Sequence, residues 1–137
     1  DAFPGTEMWI QFDQGQFQVA FNQFGLLRPL SSAELSDGTL RYLLWVAALL
    51  TPRPPALMVL NEPETSLHPD LVPPLARLIQ KVSQSSQVWV VTHSTTLSQQ
   101  LTKIDHSQLV CLEKVLGETR VRGQDPLDKL VWNWPTR

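Results

Sequence analysis

The sequence predicts an α/β fold in which helices flank a largely parallel sheet, with a β-hairpin near each end of the chain. Two short apolar runs, residues 56–60 and 88–91, are typical of strands that are covered on both faces. Between them, residues 70–82 have helical spacing and carry prolines in the first turn. A strand, a helix and a second strand in this order indicate a right-handed crossover within a parallel sheet.

Local patterns predict the other elements in chain order. Gly15 lies between two β-prone runs and supplies the positive φ of a hairpin turn, whereas Pro29 limits the pairing of a third strand. Ser36 or Asp37 can cap a leucine-rich helix that the prolines of residues 52–55 terminate. The predicted elements are a hairpin of residues 8–12 and 17–21, a strand at 26–30, a polar loop at 31–38, helices at 39–50 and 94–101, and a second hairpin of residues 109–115 and 119–122.

Composition excludes several classes of protein. The chain has 137 residues, 42% of them hydrophobic, and a net charge of −2, which indicates one soluble globular domain. Its 11 basic residues form no cluster, so there is no electrostatic footprint for nucleic acid or an acidic membrane. The longest apolar run, 42–50, is too short to cross a bilayer. A single cysteine, Cys111, excludes an internal disulfide and a cysteine zinc site, and it fits a reducing cytoplasm.

Four of the five tryptophans have a predicted environment. Trp45 and Trp89 lie within apolar elements, and we expect both to belong to the core. Trp132 and Trp134 lie near the C-terminus, where we expect them to pack back onto the domain and not to dock a partner.

Chemistry-bearing residues follow both predicted parallel strands. Glu62 and Glu64 follow the first strand and His93 follows the second, so a parallel pair would bring Glu62 and His93 to one edge of the sheet. A carboxylate there can polarise water or serve a Mg²⁺ ion. Two structural alternatives stay open: the carboxylates also suit the first turn of a helix, and a single histidine at a strand end can be purely structural.

The loop at residues 35–39, Leu-Ser-Asp-Gly-Thr, opens the predicted helix 39–50. A serine hydroxyl, a glycine N–H and a helix N-terminus together can hold an anion. Taken alone, the loop fits an ordinary capped helix start better than an anion site.

Taken together and in this order, these segments resemble the C-terminal half of an ABC-type ATPase head, most closely the predicted AAA-type ATPases related to SMC and RecF proteins. The resemblance covers about residues 26–115. The matching motifs are the signature loop at 35–39, the Walker B strand at 56–62, the Glu-Pro-Glu…Leu-His-Pro segment with its D-loop at 62–69, and the switch-histidine strand at 90–94.

The resemblance implies a role for each matching residue. Glu62 would activate the water that attacks the γ-phosphate of ATP, His93 would hydrogen-bond that phosphate, and Asn61 would contact Mg²⁺ through water. Ser36, Asp37 and Gly38 would bind nucleotide held by an opposing head, so we expect Ser36 and Gly38 to be exposed to solvent. Ser66 and His68 would line the dimer interface. The implied cofactors are therefore ATP and Mg²⁺, and the implied partner is a second head, as a homodimer.

Two departures from the family pattern qualify this expectation. The Walker B motif usually ends in Asp-Glu, whereas this sequence has Asn61-Glu62, which removes one charge near the metal. No Gly-Lys pair occurs anywhere, so the phosphate-binding Walker A loop is missing from these 137 residues. We therefore expect residues 1–137 to be a single C-terminal lobe of a longer cytoplasmic ATPase, inactive by itself, whose upstream lobe carries Walker A.

Other functions stay open at this stage. Asn61 also fits a non-catalytic, nucleotide-gated interaction module with a decayed Walker B motif. A nuclease-associated head would need a separate metal-binding nuclease domain, which these residues do not contain. DNA contact by the parent protein is compatible with the sequence but unsupported by it.

Overall fold

The computed structural model describes residues 2–13 and 15–123. The chain divides into two compact units, Asp1–Asp105 and His106–Arg137. The first unit carries all the predicted site residues, and the described part of the second unit is a hairpin. No helix in the described ranges is long and apolar enough to cross a membrane.

The first unit begins with an antiparallel sheet of three strands. Strands β1 (Glu7–Asp13) and β2 (Gln16–Asn22) form the predicted hairpin, and Phe12 pairs with Phe17 beside the turn. Gly15 has a φ of +82°, as the turn requires. Strand β3 (Leu30–Ser31) is shorter than the predicted strand at 26–30 and begins only after Pro29, which has no N–H to donate.

The segment between β3 and the first helix is more ordered than the predicted polar loop. A 3₁₀-helix, Ser32–Glu34, is closed by a capping box in which Ser31 and Glu34 bond reciprocally. Arg28 forks onto the Glu34 carboxylate at 2.6 and 3.0 Å, and this hydrogen bonding lowers the pKa of Glu34 to about 2. Helix α1 (Asp37–Leu49) then begins two residues earlier than predicted, with Ser36 as its N-cap.

A parallel βαβ unit forms the centre of the first unit. Strands β4 (Leu57–Asn61) and β5 (Gln87–Val91) pair in parallel, as predicted, and helix α2 (Val72–Ser83) connects them. A 3₁₀-helix (Pro69–Leu71) precedes α2, and helix α3 (Thr95–Leu101) follows β5. The core lies between these helices, α1 and one face of the strand pair, with Leu75 and Leu97 fully buried.

The mixed α/β class is confirmed, but the largely parallel sheet is not, since β4–β5 is the one parallel pair in the described ranges. The expectation that these strands are covered on both faces is also wrong. Side chains alternate across a strand, and helices cover only the face that carries Leu60. The other face is exposed, so Trp89 is not a core residue. This open apolar face consists of Leu57 (45% exposed), Val59 (59%), Trp89 (58%) and Val91 (55%).

The second unit contains the predicted C-terminal hairpin. Strands β6 (Leu112–Val115) and β7 (Glu118–Val121) are antiparallel and joined by Leu116 and Gly117. Both turn residues have positive φ, as a two-residue type I′ turn requires. Cys111 precedes β6 and is half-buried. Trp132 and Trp134 lie outside the described residues.

Candidate functional site

Glu62 and His93 meet at the carboxyl-end edge of the β4–β5 pair. Asn61 and Val91 are register partners at the ends of the strands, and the Glu62 N–H continues the ladder with a 2.8 Å hydrogen bond to the Val91 carbonyl. Just beyond, the Glu62 Oε1 lies 3.2 Å from the His93 Nδ1. The predicted juxtaposition is therefore confirmed, and both side chains remain open to solvent, at 45% and 74% exposure.

The backbone of Glu62 leaves the strand in an unusual conformation. Its φ is +45°, in the left-handed region that non-glycine residues rarely adopt. The Thr65 hydroxyl donates to the Glu62 Oε2 over 3.3 Å, so the carboxylate is held from both sides, by Thr65 and by His93. Residues 62–66 form turns, and α2 begins only at Val72, so the alternative in which the carboxylates start a helix is wrong.

Two contacts from α1 fix the segment that carries Glu62. The Trp45 indole N–H donates to the carbonyl of the buried Pro63 over 2.9 Å. The Arg41 guanidinium donates to the Thr65 carbonyl over 3.1 Å. Helix α1 therefore holds the turn by the backbone carbonyl groups of Pro63 and Thr65, and these two contacts do not use the Glu62 carboxylate.

Glu64 has a different environment from Glu62, although only one residue separates them. It is buried, at 8% exposure, and its Oε1 accepts hydrogen bonds from the Thr92 hydroxyl and the Ser94 N–H. Its Oε2 is buried and has no hydrogen-bond partner in the part of the chain that the structure describes. Glu64 thus connects the turn after β4 to the turn after β5.

The predicted anion-binding loop caps its own helix and is also accessible. The Ser36 hydroxyl accepts the Thr39 N–H over 3.2 Å, while Ser36 and Asp37 remain exposed. By helix geometry, the first N–H groups of α1 have no partner in the helix, and an anion could use them. We also expected Gly38 to be exposed, but it is half-buried and packs on the Ser66 backbone. A Cβ at Gly38 would lie 2.8 Å from the Ser66 carbonyl oxygen.

Ser66 and His68 lie beside this loop in the same chain. Ser66 has a φ of +65°, which turns its backbone toward Gly38. His68 is the N-cap of the 3₁₀-helix at Pro69–Leu71, and its Nδ1 accepts the Asp70 N–H over 3.3 Å. Both side chains are exposed. The structure therefore joins Ser36, Asp37, Gly38, Ser66 and His68 into one surface, which we name the loop surface.

The described residues do not form a metal site by themselves. Asn61 ends β4 with an exposed side chain, next to Glu62. Within the described part of the chain, no group of three or more His, Cys, Asp or Glu side chains could hold a metal ion. A Mg²⁺ ion that is bound through one or two protein oxygens and completed by phosphate and water would fit such an edge, whereas an all-protein site would not.

Sequence reasoning gave no role to Arg41 or Thr65, and it singled out Glu64 without predicting its burial or its partners. Arg41, Thr65 and Glu64 all act on the turn after β4, but none belongs to a pattern that links it to a partner. Their partners lie 24, 3 and 28 residues away in the sequence, and only the fold brings the distant ones together.

Comparisons with known proteins agree with this architecture. The family model described as "AAA domain, putative AbiEii toxin, Type IV TA system" matches residues 2–98, more than half of the chain. A search of curated proteins found no match.

Two solved structures share the fold. One comes from work on ATP-driven dimerisation and DNA-stimulated activation of SMC ATPases, with a TM-score of 0.71, 18% identity, and coverage of 88% of this chain and 74% of that one. The other is an Smc head domain with an extended coiled coil, bound to the C-terminal domain of ScpA, from Pyrococcus furiosus. Its TM-score is 0.66 at 18% identity, covering 88% of this chain and 31% of that one.

Proposed function

The chain belongs to the AAA-domain family described as "putative AbiEii toxin, Type IV TA system", and from this premise we propose that it is the C-terminal lobe of a head that binds and hydrolyses ATP. The observation that carries the proposal is the 3.2 Å contact of Glu62 with His93 at the carboxyl ends of two parallel strands. In open α/β sheets, ligands bind at this edge.

Glu62 acts as the general base in this proposal. It lies partly open to solvent, within reach of a water molecule, and Thr65 and His93 hold its two oxygens in a fixed plane. Proton transfer to a side chain positioned in this way accelerates hydrolysis by about 10²–10⁴-fold. His93 keeps its Nε2 free to hydrogen-bond the γ-phosphate of ATP, because its Nδ1 faces Glu62.

Asn61 is the chain's own contribution to the Mg²⁺ site. Its amide oxygen, exposed beside Glu62, would contact the ion through a water molecule. When bound, the ion would neutralise phosphate charge. The remaining ligands would come from the nucleotide and from a phosphate-binding lobe outside these residues.

The loop surface is proposed to face the nucleotide of a second head. Four of its five residues are exposed, around the N-terminus of the 13-residue helix α1, where the helix dipole favours a phosphate. The Gly38–Ser66 packing joins this loop to the turn that follows Glu62. The SMC ATPases of one structural relative are described as undergoing ATP-driven dimerisation, which supports a homodimer of heads here.

We propose that the phosphate-binding lobe packs on the open apolar face. No Gly-Lys pair occurs among the 137 residues, so a second lobe must supply the Walker A function. A contiguous apolar surface such as Leu57, Val59, Trp89 and Val91 marks a place where another element packs. Residues 1–137 are then one lobe of a longer cytoplasmic protein.

Asn61 favours a second candidate function, a non-catalytic module whose interactions are gated by nucleotide. The amide lacks the charge of the aspartate that usually ends the Walker B strand, which weakens the hold on Mg²⁺. The two candidates differ in turnover, since both bind ATP and only the first hydrolyses it.

Replacing Glu62 tests the catalytic proposal in the full-length protein. Glu62→Gln keeps the shape of the side chain but removes its basicity, so we expect phosphate release to fall at least about 100-fold while ATP affinity stays within about twofold. The control is Glu113→Gln, which removes an ion-paired carboxylate of the second unit and should leave both quantities unchanged. Parental turnover in Glu62→Gln would contradict the general-base role. ATP-driven dimers without turnover in the parent would establish the non-catalytic module.

Mixing two defective heads tests the composite site. Ser36→Arg places charge and bulk on the loop surface, so we expect it to block ATP-driven dimerisation and to leave ATP binding by the single head intact. A mixed dimer of Ser36→Arg and Glu62→Gln heads should contain at most one competent site. If Ser36→Arg instead weakens ATP binding by the monomeric head, the loop acts within its own chain and the two-headed arrangement is wrong.

Tryptophan quenching tests the proposed position of the upstream lobe. The emission of Trp89, isolated by subtracting the Trp89→Phe spectrum, should be quenched by acrylamide in this chain and shielded in the full-length protein. Trp45, which is half-buried, serves as the comparison through Trp45→Phe. Equal quenching of Trp89 in both proteins would contradict packing on the open apolar face.

A further inference from the structure

We propose that Glu64 is a positioning residue that sets the direction of His93 toward Glu62, an inference that rests on the proposed ATPase function for its catalytic consequence. Glu64 is buried, and its Oε1 accepts hydrogen bonds from the Thr92 hydroxyl and from the Ser94 N–H. These two donors belong to the residues on either side of His93. Glu64 therefore fixes the backbone from which the His93 side chain projects.

The contacts around His93 form a closed network. The Thr92 hydroxyl donates to Glu64 and accepts the Ser94 N–H over 2.9 Å, so each of the three residues bonds to the other two. The Ser94 hydroxyl in turn caps α3 by accepting the Leu97 N–H. Such a network restrains the turn more strongly than any one of its bonds. His93 itself is 74% exposed, so packing restrains its ring little and the direction of its backbone decides where the ring lies.

Burying the Glu64 carboxylate costs free energy, so filling space cannot be the reason for a glutamate at this position. Its Oε2 is buried and has no hydrogen-bond partner among residues 2–13 and 15–123, and leaving a buried acceptor unsatisfied is unfavourable. An apolar side chain of similar size would fill the same space without this cost. What it could not do is accept the two donors that flank His93, and this is the property that the position requires.

A less restrained turn at residues 92–94 would directly change the distance between Glu62 and His93, the candidate catalytic pair. Glu62 bonds to the Val91 carbonyl and His93 follows Val91 by two residues, so a shift of the 92–94 turn changes the 3.2 Å contact. A misplacement of about 1 Å at a reacting group can reduce a rate about 100-fold. Glu64 touches no substrate in this arrangement and acts through His93.

A measurement on this chain tests the positioning without using ATP. The three-bond couplings from the backbone N and C′ to Cγ report the χ1 rotamer of His93 by NMR. We expect a single rotamer in the parent chain and in Glu64→Gln, whose amide oxygen still accepts both donors, and rotamer averaging in Glu64→Ala.

Thr92→Val, which removes one hydrogen bond and keeps the shape of the side chain, should show partial averaging, and it decides the question if Glu64→Ala does not fold. Val82→Ala is the control, because it weakens the core without touching the network. A single rotamer in both Thr92→Val and a folded Glu64→Ala would overturn the proposal.

Hydrolysis by the full-length protein tests the consequence. We expect Glu64→Ala to lower kcat at least about tenfold with KM within about twofold, and Glu64→Gln to restore most of the rate. In the His93→Ala background, Glu64→Ala should change kcat less than about twofold, because residues that act through one another are not additive. Full additivity would overturn the inference. A single His93 rotamer in the parent chain and averaging in Glu64→Ala, together with no turnover in the full-length protein, would retain the positioning role and reject the ATPase function, so the two failures are distinguishable.

Discussion

Gly38→Ala should destabilise the protein, although glycine to alanine within a helix normally does the opposite. Gly38 is the second residue of α1, where alanine would gain about 0.4–1 kcal/mol through the unfolded state. Its Cβ, however, would lie 2.8 Å from the Ser66 carbonyl oxygen, a separation that real Cβ contacts essentially never show. The sign of the stability change therefore reports whether this close approach exists in solution.

The backbone around Ser66 gives the added methyl group little room. The turn is held by hydrogen bonds from the Thr65 N–H to the Glu62 carbonyl and from the Leu67 N–H to the Glu64 carbonyl, both 3.0 Å. Because backbone must move instead of a flexible side chain, the overpacking costs about 1–3 kcal/mol. After the gain from alanine is subtracted, we expect a net loss of about 1 kcal/mol, which corresponds to a fall in Tm of about 3–5 °C.

Thermal unfolding followed by circular dichroism measures this change. The control is Ala47→Gly, at an exposed position of the same helix, which should cost about 1 kcal/mol and shows that α1 responds to helix propensity. A rise in Tm for Gly38→Ala would refute the close packing of the loop on the turn. It would also remove the packing contact that joins the two halves of the loop surface.

Three further predictions concern stability. Ser36→Ala removes the N-cap of α1 and should cost about 1 kcal/mol, whereas Ser36→Asp should retain most of it, as measured by urea unfolding. Leu75→Ala, at a fully buried position, should cost about 2–5 kcal/mol in the same assay, and a loss below 1 kcal/mol would contradict its central place in the core. Arg28 lowers the pKa of Glu34 to about 2, from 4.5. The stability that this pair contributes is therefore fully present above pH 4.5 and is lost as the pH falls to 2. Urea midpoints of the parent and Glu34→Gln should differ above pH 4.5 and converge toward pH 2.

The sequence anticipated those parts of the molecule that depend on local patterns. The strand–helix–strand order predicted that β4 and β5 are parallel neighbours, and strand ends in a parallel pair share an edge, so the meeting of Glu62 and His93 followed. The hairpin around Gly15 was equally predictable, because a turn with positive φ has its own sequence preference.

Long-range packing decided the features that the sequence did not predict. The apolar runs of β4 and β5 suggested burial on both faces, but burial on the second face requires a partner element, and pattern alone cannot say whether the described residues supply one. For this reason Trp89 was predicted to be a core residue, whereas it is exposed. The burial of Glu64 was not predicted for the converse reason: a charged residue in a polar segment is normally exposed, and only the partners Thr92 and Ser94 explain why this one is buried. The proximity of Gly38 to Ser66 has no sequence signature, because it depends on how α1 packs against the turn after β4.

The left-handed backbone of Glu62 has a consequence for any attempt to engineer this protein. At a φ of +45°, glycine or asparagine would be easier to accommodate than glutamate by about 1 kcal/mol. A library selected for heat resistance alone would therefore enrich Glu62→Gly and Glu62→Asn, and it would discard the carboxylate without any sign of damage to the fold. If Glu62 is the general base as proposed, selection for stability and selection for hydrolysis favour different residues at position 62, so improvement of the scaffold has to be scored on phosphate release as well as on Tm.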